Sequence, residues 1–202
     1  MGKIYVVIGK SASGKDSIFK YLKEDEKLHL QTVVGYTTRP IRNGEEAGCE
    51  YFFVTDEDFE KLKIDGKIIE YRTYNTIHGP WNYFTVNDGQ IELSKTDYLF
   101  INTLEAYNQI KKYYGEGRVV PIYIEVEDGE RLSRALMREK EQLDPKYAEL
   151  CRRFLADNED FSEEKITESG IKKRFHNNDI RECVEEIKKY IQNDKSERKT
   201  LV

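Results

Sequence analysis

Near the start of the chain, glycine and lysine recur at the spacing of a phosphate-binding loop. In the stretch VVIGKSASGKDSIF, Gly9 is followed by four residues and then by Gly14 and Lys15. Glycines at these positions let backbone N–H groups converge on phosphate oxygens, and the lysine reaches the phosphoryl group that is transferred. The spacing therefore predicts a site for a nucleoside triphosphate. Its predicted residues are Gly9, Lys10, Ser11, Ala12, Ser13, Gly14, Lys15, Asp16 and Ser17.

The residue after the lysine departs from the usual motif. That position normally supplies a hydroxyl group to Mg²⁺, and here it is Asp16. A carboxylate is a hard anionic ligand that suits Mg²⁺ but would repel phosphate if no cation lay beside it. Asp16 could equally be an acidic residue of the first helical turn, favoured by the helix dipole, with Ser17 supplying the hydroxyl. The sequence leaves Asp16 and Ser17 as alternative metal ligands.

A buried strand and a helix must flank this loop. Residues 3–9 are a short β-branched apolar run, which is typical of a strand buried on both faces of a parallel sheet. Apolar residues at helical spacing predict a helix that begins near Asp16. Further strands are predicted at 30–34, 98–102 and 119–126. Since helical stretches separate the last two strands, we expect an α/β fold with right-handed crossovers.

Two segments interrupt this alternation. Residues 36–88 are rich in aromatic and turn residues, and short runs at 51–54, 68–74 and 81–86 predict a small separate sheet. Within this segment, Thr55 and Asp58 have the spacing of a capping box. Residues 128–162 are charged and helical but broken near Pro145, a pattern that favours a mobile flap.

The remaining segments form the predicted core of a single domain. These core segments are 1–35, 89–127 and 163–195. A terminal helix is predicted at 180–192, and the tail at 196–202 is expected to fray.

Composition narrows the class of protein. Of the 202 residues, 38% are hydrophobic and 35% charged, which predicts one soluble domain. A net charge of −5 argues against nucleic acid as a partner. No apolar run approaches the roughly 18 residues of a membrane span, and the chain starts directly with a predicted strand, so we expect a cytoplasmic protein without a membrane partner. The three cysteines have no zinc-site or disulfide-framework spacing.

The most specific stretch is YTTRPIRNGEEAGCEYFFV, residues 36–54. Together with the phosphate-binding loop, it makes essentially the whole chain resemble the guanylate kinase family of nucleoside monophosphate kinases. The resemblance implies an α/β P-loop NTPase three-layer sandwich with a parallel core sheet. It also implies an inserted small mixed β/α monophosphate-binding subdomain at 36–88 and a helical lid at 128–162. ATP with Mg²⁺ would be the phosphoryl donor, small-molecule nucleotides the partners, and a monomer or a homodimer the assembly.

The resemblance assigns roles on the acceptor side. Arg39, Arg42 and Tyr51 match the positions that grip the acceptor phosphate, and guanidinium forks and a phenol suit that ligand. Glu70 matches the carboxylate that reads guanine. A carboxylate accepts from both the N1–H and the exocyclic amine of guanine, whereas adenine presents an acceptor at its N1.

On the donor side, the resemblance points to Lys15 and to the lid arginines Arg138 and Arg153 as catalytic residues. Cations there would stabilise the charge of the transferring phosphoryl group when the lid closes. Arg134 is a plausible further lid arginine, and Arg131 and Arg152 match less well. Asn178 matches the contact to adenine.

Three departures concern the acceptor. Gly35 replaces a serine that helps to hold the guanine carbonyl in the family. The segment WNYFT at 81–85 replaces a Tyr-Tyr-Gly-Ser/Thr segment, after an apparent insertion around 76–80. Asn102 ends a segment that replaces an acidic Asp-x-Asp pair. Gly35 and Asn102 still count among the predicted acceptor-binding residues, and Asp16 is hypothesised to replace the lost aspartates at the metal.

The predicted function is ATP-dependent phosphoryl transfer to a nucleoside monophosphate, with GMP or dGMP favoured. Asp16, Asn102 and the NND run at 177–179 also resemble ribose 1,5-bisphosphate phosphokinases, so a kinase for another phosphorylated acceptor is an alternative. A catalytically silent interaction module of the same fold is a second alternative. The intact phosphate-binding loop argues against a silent module.

Overall fold

The computed structural model describes residues 1–76 and 79–200 of the chain. In chain order, its strands are β1 (Ile4–Ile8), β2 (Leu30–Thr32), β3 (Gly35–Thr37), β4 (Tyr51–Phe53), β5 (Ile68–Thr76), β6 (Gly79–Val86), β7 (Asp97–Ile101), β8 (Val119–Glu125) and β9 (Arg174–His176). Its longer helices are α1 (Lys15–Glu24), α2 (Asp56–Ile64), α3 (Leu104–Tyr114), α4 (Asp128–Lys140), α5 (Tyr147–Asp160), α6 (Glu163–Glu168) and α7 (Ile180–Thr200).

A five-stranded sheet in the order β2-β7-β1-β8-β9 forms the centre, and its pairings are all parallel. Every residue of β1 is buried, because helices cover both faces of the sheet. Ile4, Val6 and Ile8 pack with α3 on one face, while Tyr5 and Val7 pack with α1 and α7 on the other. This three-layer arrangement confirms the predicted α/β fold. Its central strand ends at the phosphate-binding loop, where ligands of parallel sheets bind.

A second sheet of four strands, in the order β4-β3-β6-β5, stands apart from the first. Strands β5 and β6 pair antiparallel, and Glu70 lies opposite Thr85 while Arg72 lies opposite Tyr83. Side chains alternate between the faces of a sheet, so these four residues share one face. The opposite face packs through Phe84 against Phe59 of α2. Helix α2 begins with the predicted capping box of Thr55 and Asp58.

Helices α4 and α5 fall within the segment predicted to be a charged flap, and Pro145 lies between them. Arg131 of α4 is the largest fully buried side chain among the described residues, which is unusual for an arginine. Its contacts, described below, explain how these charged helices attach to the rest of the protein.

The prediction that the chain frays from residue 196 is wrong for 196–200. Helix α7 continues to Thr200, well beyond the predicted end at residue 192. Arg198 and Lys195 both pair with Asp97 at the start of β7, at 2.8 Å and 2.9 Å. These ion pairs with a residue about one hundred positions earlier hold the last turns in place. Residues 201–202, and residues 77–78 of the apparent insertion, lie outside the described residues.

Within the described ranges, no helix combines the length and the apolar composition that crossing a membrane requires.

Candidate active site

The phosphate-binding loop connects β1 to α1, and two of its glycines are required by their surroundings. A Cβ atom at Gly9 would lie 2.6 Å from the carbonyl oxygen of Ile124. Gly14 has a φ angle of +83°, and a Cβ atom there would lie 2.3 Å from Nδ2 of Asn177. That same Nδ2 donates a hydrogen bond to the carbonyl oxygen of Ser13 at 2.8 Å. Asn177 therefore stabilises the loop. Its neighbour Asn178, the predicted adenine contact, is exposed.

Lys15 and Asp16 face one cavity together. Both residues line a cavity of about 350 Å³, and Lys15 Nζ lies 3.8 Å from Asp16 Oδ2. The Asp16 side chain is 82% exposed, so its carboxylate is open to solvent. Ser17 is exposed but is not among the residues that line this cavity. The loop thus presents a cation and a carboxylate to the same cavity. We call it the acceptor cavity, because predicted acceptor-binding residues such as Glu70 and Asn102 also line it.

Helices α4 and α5, which fall in the predicted lid and are called the lid helices below, contact the first half of the loop. The backbone N–H of Ser11 donates to Asp157 at 2.8 Å, and Arg131 donates from Nη1 to the carbonyl oxygen of Ser11 at 3.0 Å and to Asp157 at 3.2 Å. Lys10 donates to Asn158 at 2.8 Å and lies 3.2 Å from Asp128. The side chains of Lys10 and Arg131 are thereby occupied in joining the lid to the loop.

Arg138 and Arg153 lie near the loop, and no hydrogen bond joins either side chain to it among the described residues. Both are exposed, and both line a small cavity beside Ser11 and Asp157. Arg153 also lines a larger cleft of about 700 Å³ that contains Lys15 and Asn102. These positions suit the predicted role of cations that close over a phosphate chain.

The acceptor cavity brings together several residues predicted from sequence. Gly35, Tyr51, Glu70 and Asn102 all line it, together with Lys15. They come from both sheets, so the cavity lies between the small sheet and the edge of the central sheet where the strands end. Arg39 and Arg42 are not among the lining residues.

Glu70 is the buried polar centre of this cavity, with a side chain only 1% exposed. Its Oε1 accepts from Thr85 Oγ1 at 2.7 Å and from Asn102 Nδ2 at 3.4 Å. Its Oε2 has no hydrogen-bond partner among the described residues. Burial raises the pKa of Glu70, and the nearby charge of Arg72 opposes that shift. A buried acceptor atom is therefore left for a ligand.

Arg39 is 3% exposed and is held by Glu45. Its Nη1 and Nη2 donate to the two carboxylate oxygens at 2.7 Å and 2.6 Å, and Nη1 also donates to the carbonyl oxygen of Pro40. Hydrogen bonding from Arg39 lowers the pKa of Glu45 to about 2. Arg42 is exposed, and its backbone N–H donates to Glu45. In this structure the guanidinium of Arg39 is paired with Glu45, whereas Arg42 contacts Glu45 through its backbone.

Sequence reasoning did not single out Arg72, Tyr83 or Thr85, which also line the acceptor cavity. Residues 70 and 72 of one strand and 83 and 85 of the next occupy one face of the small sheet. The sequence could have identified Arg72, because side chains along a strand alternate between its faces and residues 70 and 72 therefore share one. The pairing register was not available, since the sequence between these strands contains no Asn-Gly or Asp-Gly pair that would identify a hairpin turn.

Comparison with known proteins agrees with this geometry. A sequence model of the family named Guanylate kinase matches residues 1–194. The guanylate kinase of Mycoplasma mobile is 31% identical over 211 residues, which covers 96% of this chain and 94% of that protein. Those of Fusobacterium nucleatum and Oceanobacillus iheyensis are 37% and 36% identical, over 93 and 120 residues. These last two alignments span about half of each relative, 46% and 55%.

A solved structure shares the fold. The crystal structure of guanylate kinase from Anaplasma phagocytophilum matches with a TM-score of 0.61 at 22% identity, covering 96% of this chain and 86% of that one. The sequence match over nearly the whole length, with a P-loop at the end of a central parallel strand, leads to one conclusion: this chain belongs to the guanylate kinase family.

Proposed function

We propose that this protein is an ATP-dependent kinase that phosphorylates GMP or dGMP to GDP or dGDP. The observation that carries the proposal is the buried carboxylate of Glu70, whose Oε2 has no hydrogen-bond partner among the described residues, in a cavity that also contains Lys15. The relatives' shared description as guanylate kinases supports the same acceptor.

Glu70 is suited to a base that presents two adjacent donors. Its Oε2 has no partner among the described residues, and Oε1 is held by Thr85 and Asn102, which fix the orientation of the carboxylate. Guanine offers N1–H and an exocyclic amine to such a group, whereas adenine would place the acceptor N1 against it. A buried carboxylate oxygen that is left without a hydrogen bond makes the wrong base costly. Asn102 then acts by orienting Glu70.

The transfer step needs no side-chain base. The phosphate of a nucleoside monophosphate is already anionic near neutral pH, so it can attack the γ-phosphate directly. What the protein contributes is alignment and neutralisation of charge. Lys15 and the N-terminus of α1 stabilise the donor phosphates, and Arg138 and Arg153 approach when the lid closes.

Magnesium, when bound with the nucleotide, supplies charge that neutralises phosphate oxygens. Mg²⁺ is usually held by one or two carboxylates, water and substrate phosphates. Asp16 fits that pattern, because its exposed carboxylate faces the cavity of Lys15. In residues 1–76 and 79–200, no group of three or more acidic, histidine or cysteine side chains forms a metal cluster. A single carboxylate beside the phosphate loop is the arrangement that the chain offers.

The test is an ADP-formation assay with ATP, Mg²⁺ and one candidate acceptor at a time. The acceptors are GMP, dGMP, AMP, CMP, UMP and ribose 1,5-bisphosphate, and a Lys15→Met variant controls for contaminating kinases. We expect GMP or dGMP to stimulate ADP formation by the wild type and not by the variant. Stimulation by ribose 1,5-bisphosphate alone would show that this sugar phosphate, and not GMP or dGMP, is the acceptor. Stimulation by none of the six would refute the kinase assignment.

A further inference from the structure

Arg72 of β5 extends into the acceptor cavity, and its guanidinium is only partly used. The side chain is 11% exposed, and Nη1 donates to Oγ1 of Thr103 at 3.0 Å. Nε lies 3.3 Å from Oε2 of Glu70, but it is buried without a hydrogen-bond partner among the described residues. Nη2 makes no hydrogen bond within the described part of the chain either. The edge formed by Nε and Nη2, the geometry that binds oxyanions in a bidentate way, therefore makes no hydrogen bond among the described residues, although Nε lies beside Glu70.

The surroundings of this open edge are those of an anion site. Arg72 lies opposite Tyr83 in the sheet, and the Tyr83 ring lies 5.6 Å from that of Tyr51. Both phenols line the acceptor cavity and can donate hydrogen bonds. Thr103, which anchors Arg72, also lines the cleft that contains Lys15. Arg72 thus shares a cavity with the carboxylate proposed to read the base and with the lysine of the phosphate loop.

Arg39 lies near this position, 5.3 Å from the centre of the Tyr51 ring, but its guanidinium is engaged elsewhere. Both Nη atoms of Arg39 bind Glu45, and neither Arg39 nor Arg42 lines the cavity. Lys15 belongs to the donor loop. Among the described residues that line the acceptor cavity, Arg72 is therefore the one guanidinium, and its Nε is buried without a hydrogen-bond partner.

We propose that Arg72 binds the phosphate of the acceptor nucleotide through its Nε and Nη2 atoms, while Thr103 holds Nη1. The inference rests on the proposed function for the identity of the acceptor. Arg72 also offsets the charge of Glu70, so the cavity can hold a buried carboxylate and an anionic phosphate together.

The experiment compares a ligand that has the phosphate with one that lacks it. Dissociation constants of GMP and guanosine are measured by calorimetry for the wild type, Arg72→Met and Arg72→Lys. Loss of charge-assisted hydrogen bonds should weaken GMP binding by Arg72→Met roughly 10- to 100-fold. Guanosine binding should stay within about twofold of wild type. Arg72→Lys should fall between, because an ammonium keeps the charge but not the fork.

The matched control is Lys63→Met. The ammonium group of Lys63 lies 4.9 Å from the centre of the Tyr71 ring, on the opposite face of the same sheet. The substitution therefore removes a cation that does not face the cavity. The variant should bind both ligands as the wild type does. Equal weakening of GMP and guanosine by Arg72→Met would show that Arg72 acts through Glu70, and unchanged GMP binding would exclude any acceptor contact. Either result overturns the inference alone, whereas a wild type that neither binds nor phosphorylates GMP overturns the proposed function.

Discussion

At the scale of single residues, Asp16 has the clearest consequence. A carboxylate at the start of α1 would repel phosphate, yet Lys15 lies 3.8 Å away and moderates its charge. Asp16 lines the acceptor cavity, and the adjacent Ser17 does not. Of the two metal ligands that the sequence left open, we therefore expect Asp16 to contact Mg²⁺.

Replacing Asp16 by alanine should raise the Mg²⁺ concentration needed for half-maximal kinase activity. It should also lower turnover on the order of 100-fold, because a charge that holds the metal at the phosphates is lost. The measurement is a Mg²⁺ titration of ADP formation at saturating ATP and GMP. Ser17→Ala is the control and should stay within about twofold of wild type. Near-normal turnover and Mg²⁺ dependence in Asp16→Ala would contradict this role.

At the scale of elements, the attachment of the lid helices depends on Arg131. Its buried guanidinium binds Asp128 and Asp157 and the carbonyl oxygen of Ser11, and it lies 4.5 Å from the centre of the Phe154 ring. A side chain of α4 thereby contacts both α5 and the phosphate-binding loop. Removing it leaves two carboxylates without their shared cation, which is costly when they are partly buried.

Arg131→Met should loosen α4 and α5 while leaving the central sheet intact. We expect a loss of about 2 to 3 kcal/mol in local stability, below the range for a fully buried pair because Asp128 is 43% exposed. Hydrogen exchange followed by mass spectrometry should show faster exchange in 128–160 and unchanged exchange in β1. Arg152→Met, which removes only an exposed pair with Glu149, serves as the control. Equal exchange in the two variants would disprove the attachment.

At the scale of the whole molecule, the last helix is tied to the beginnings of the central strands. Asp97 forms ion pairs with Arg198 and Lys195 of α7 and accepts a hydrogen bond from the backbone N–H of Lys3. Asp194 of α7 accepts from the buried phenol of Tyr5 at 2.7 Å. Burial raises the pKa of Tyr5, which keeps the phenol a hydrogen-bond donor. One polar network thus joins residues from both ends of the described chain.

Because of this network, the free energy of unfolding should decrease as the pH falls. Burial acts to raise the pKa of Asp97, but the hydrogen bonds from Arg198, Lys195 and Lys3 outweigh it and hold the pKa at about 2, below the ordinary 3.8. A lowered pKa contributes stability that is complete above the unfolded value and is lost as the pH falls through the folded one. The wild type should therefore lose about 2 kcal/mol more than Asp97→Asn between about pH 4 and pH 2.

Urea unfolding at a series of pH values measures this difference. Asp65→Asn is the control, because Asp65 is exposed at the end of α2. It should keep the acid dependence of the wild type. Parallel acid profiles for Asp97→Asn and the wild type would rule out the contribution.

Local features were predictable from sequence because consecutive residues make them. The spacing from Gly9 to Lys15 identified the phosphate loop, apolar runs identified the strands of the central sheet, and Thr55 with Asp58 identified a helix start. The family resemblance then supplied candidates such as Glu70. Patterns of this kind survive in the sequence since each depends on residues only a few positions apart.

Only the tertiary structure decided which of these candidates meet. Glu70 contacts Thr85 and Asn102, which lie 15 and 32 positions away, and Arg131 reaches Ser11 across 120. Strand register placed Arg72 opposite Tyr83, and packing folded Arg39 onto Glu45. The charged stretch at 196–200 looks unstructured when read in isolation, but it continues α7, and Arg198 within it pairs with Asp97. Spacing along the chain determined the chemistry available to this protein, whereas register and burial, which are properties of distant pairs, decided which groups remain open to a ligand.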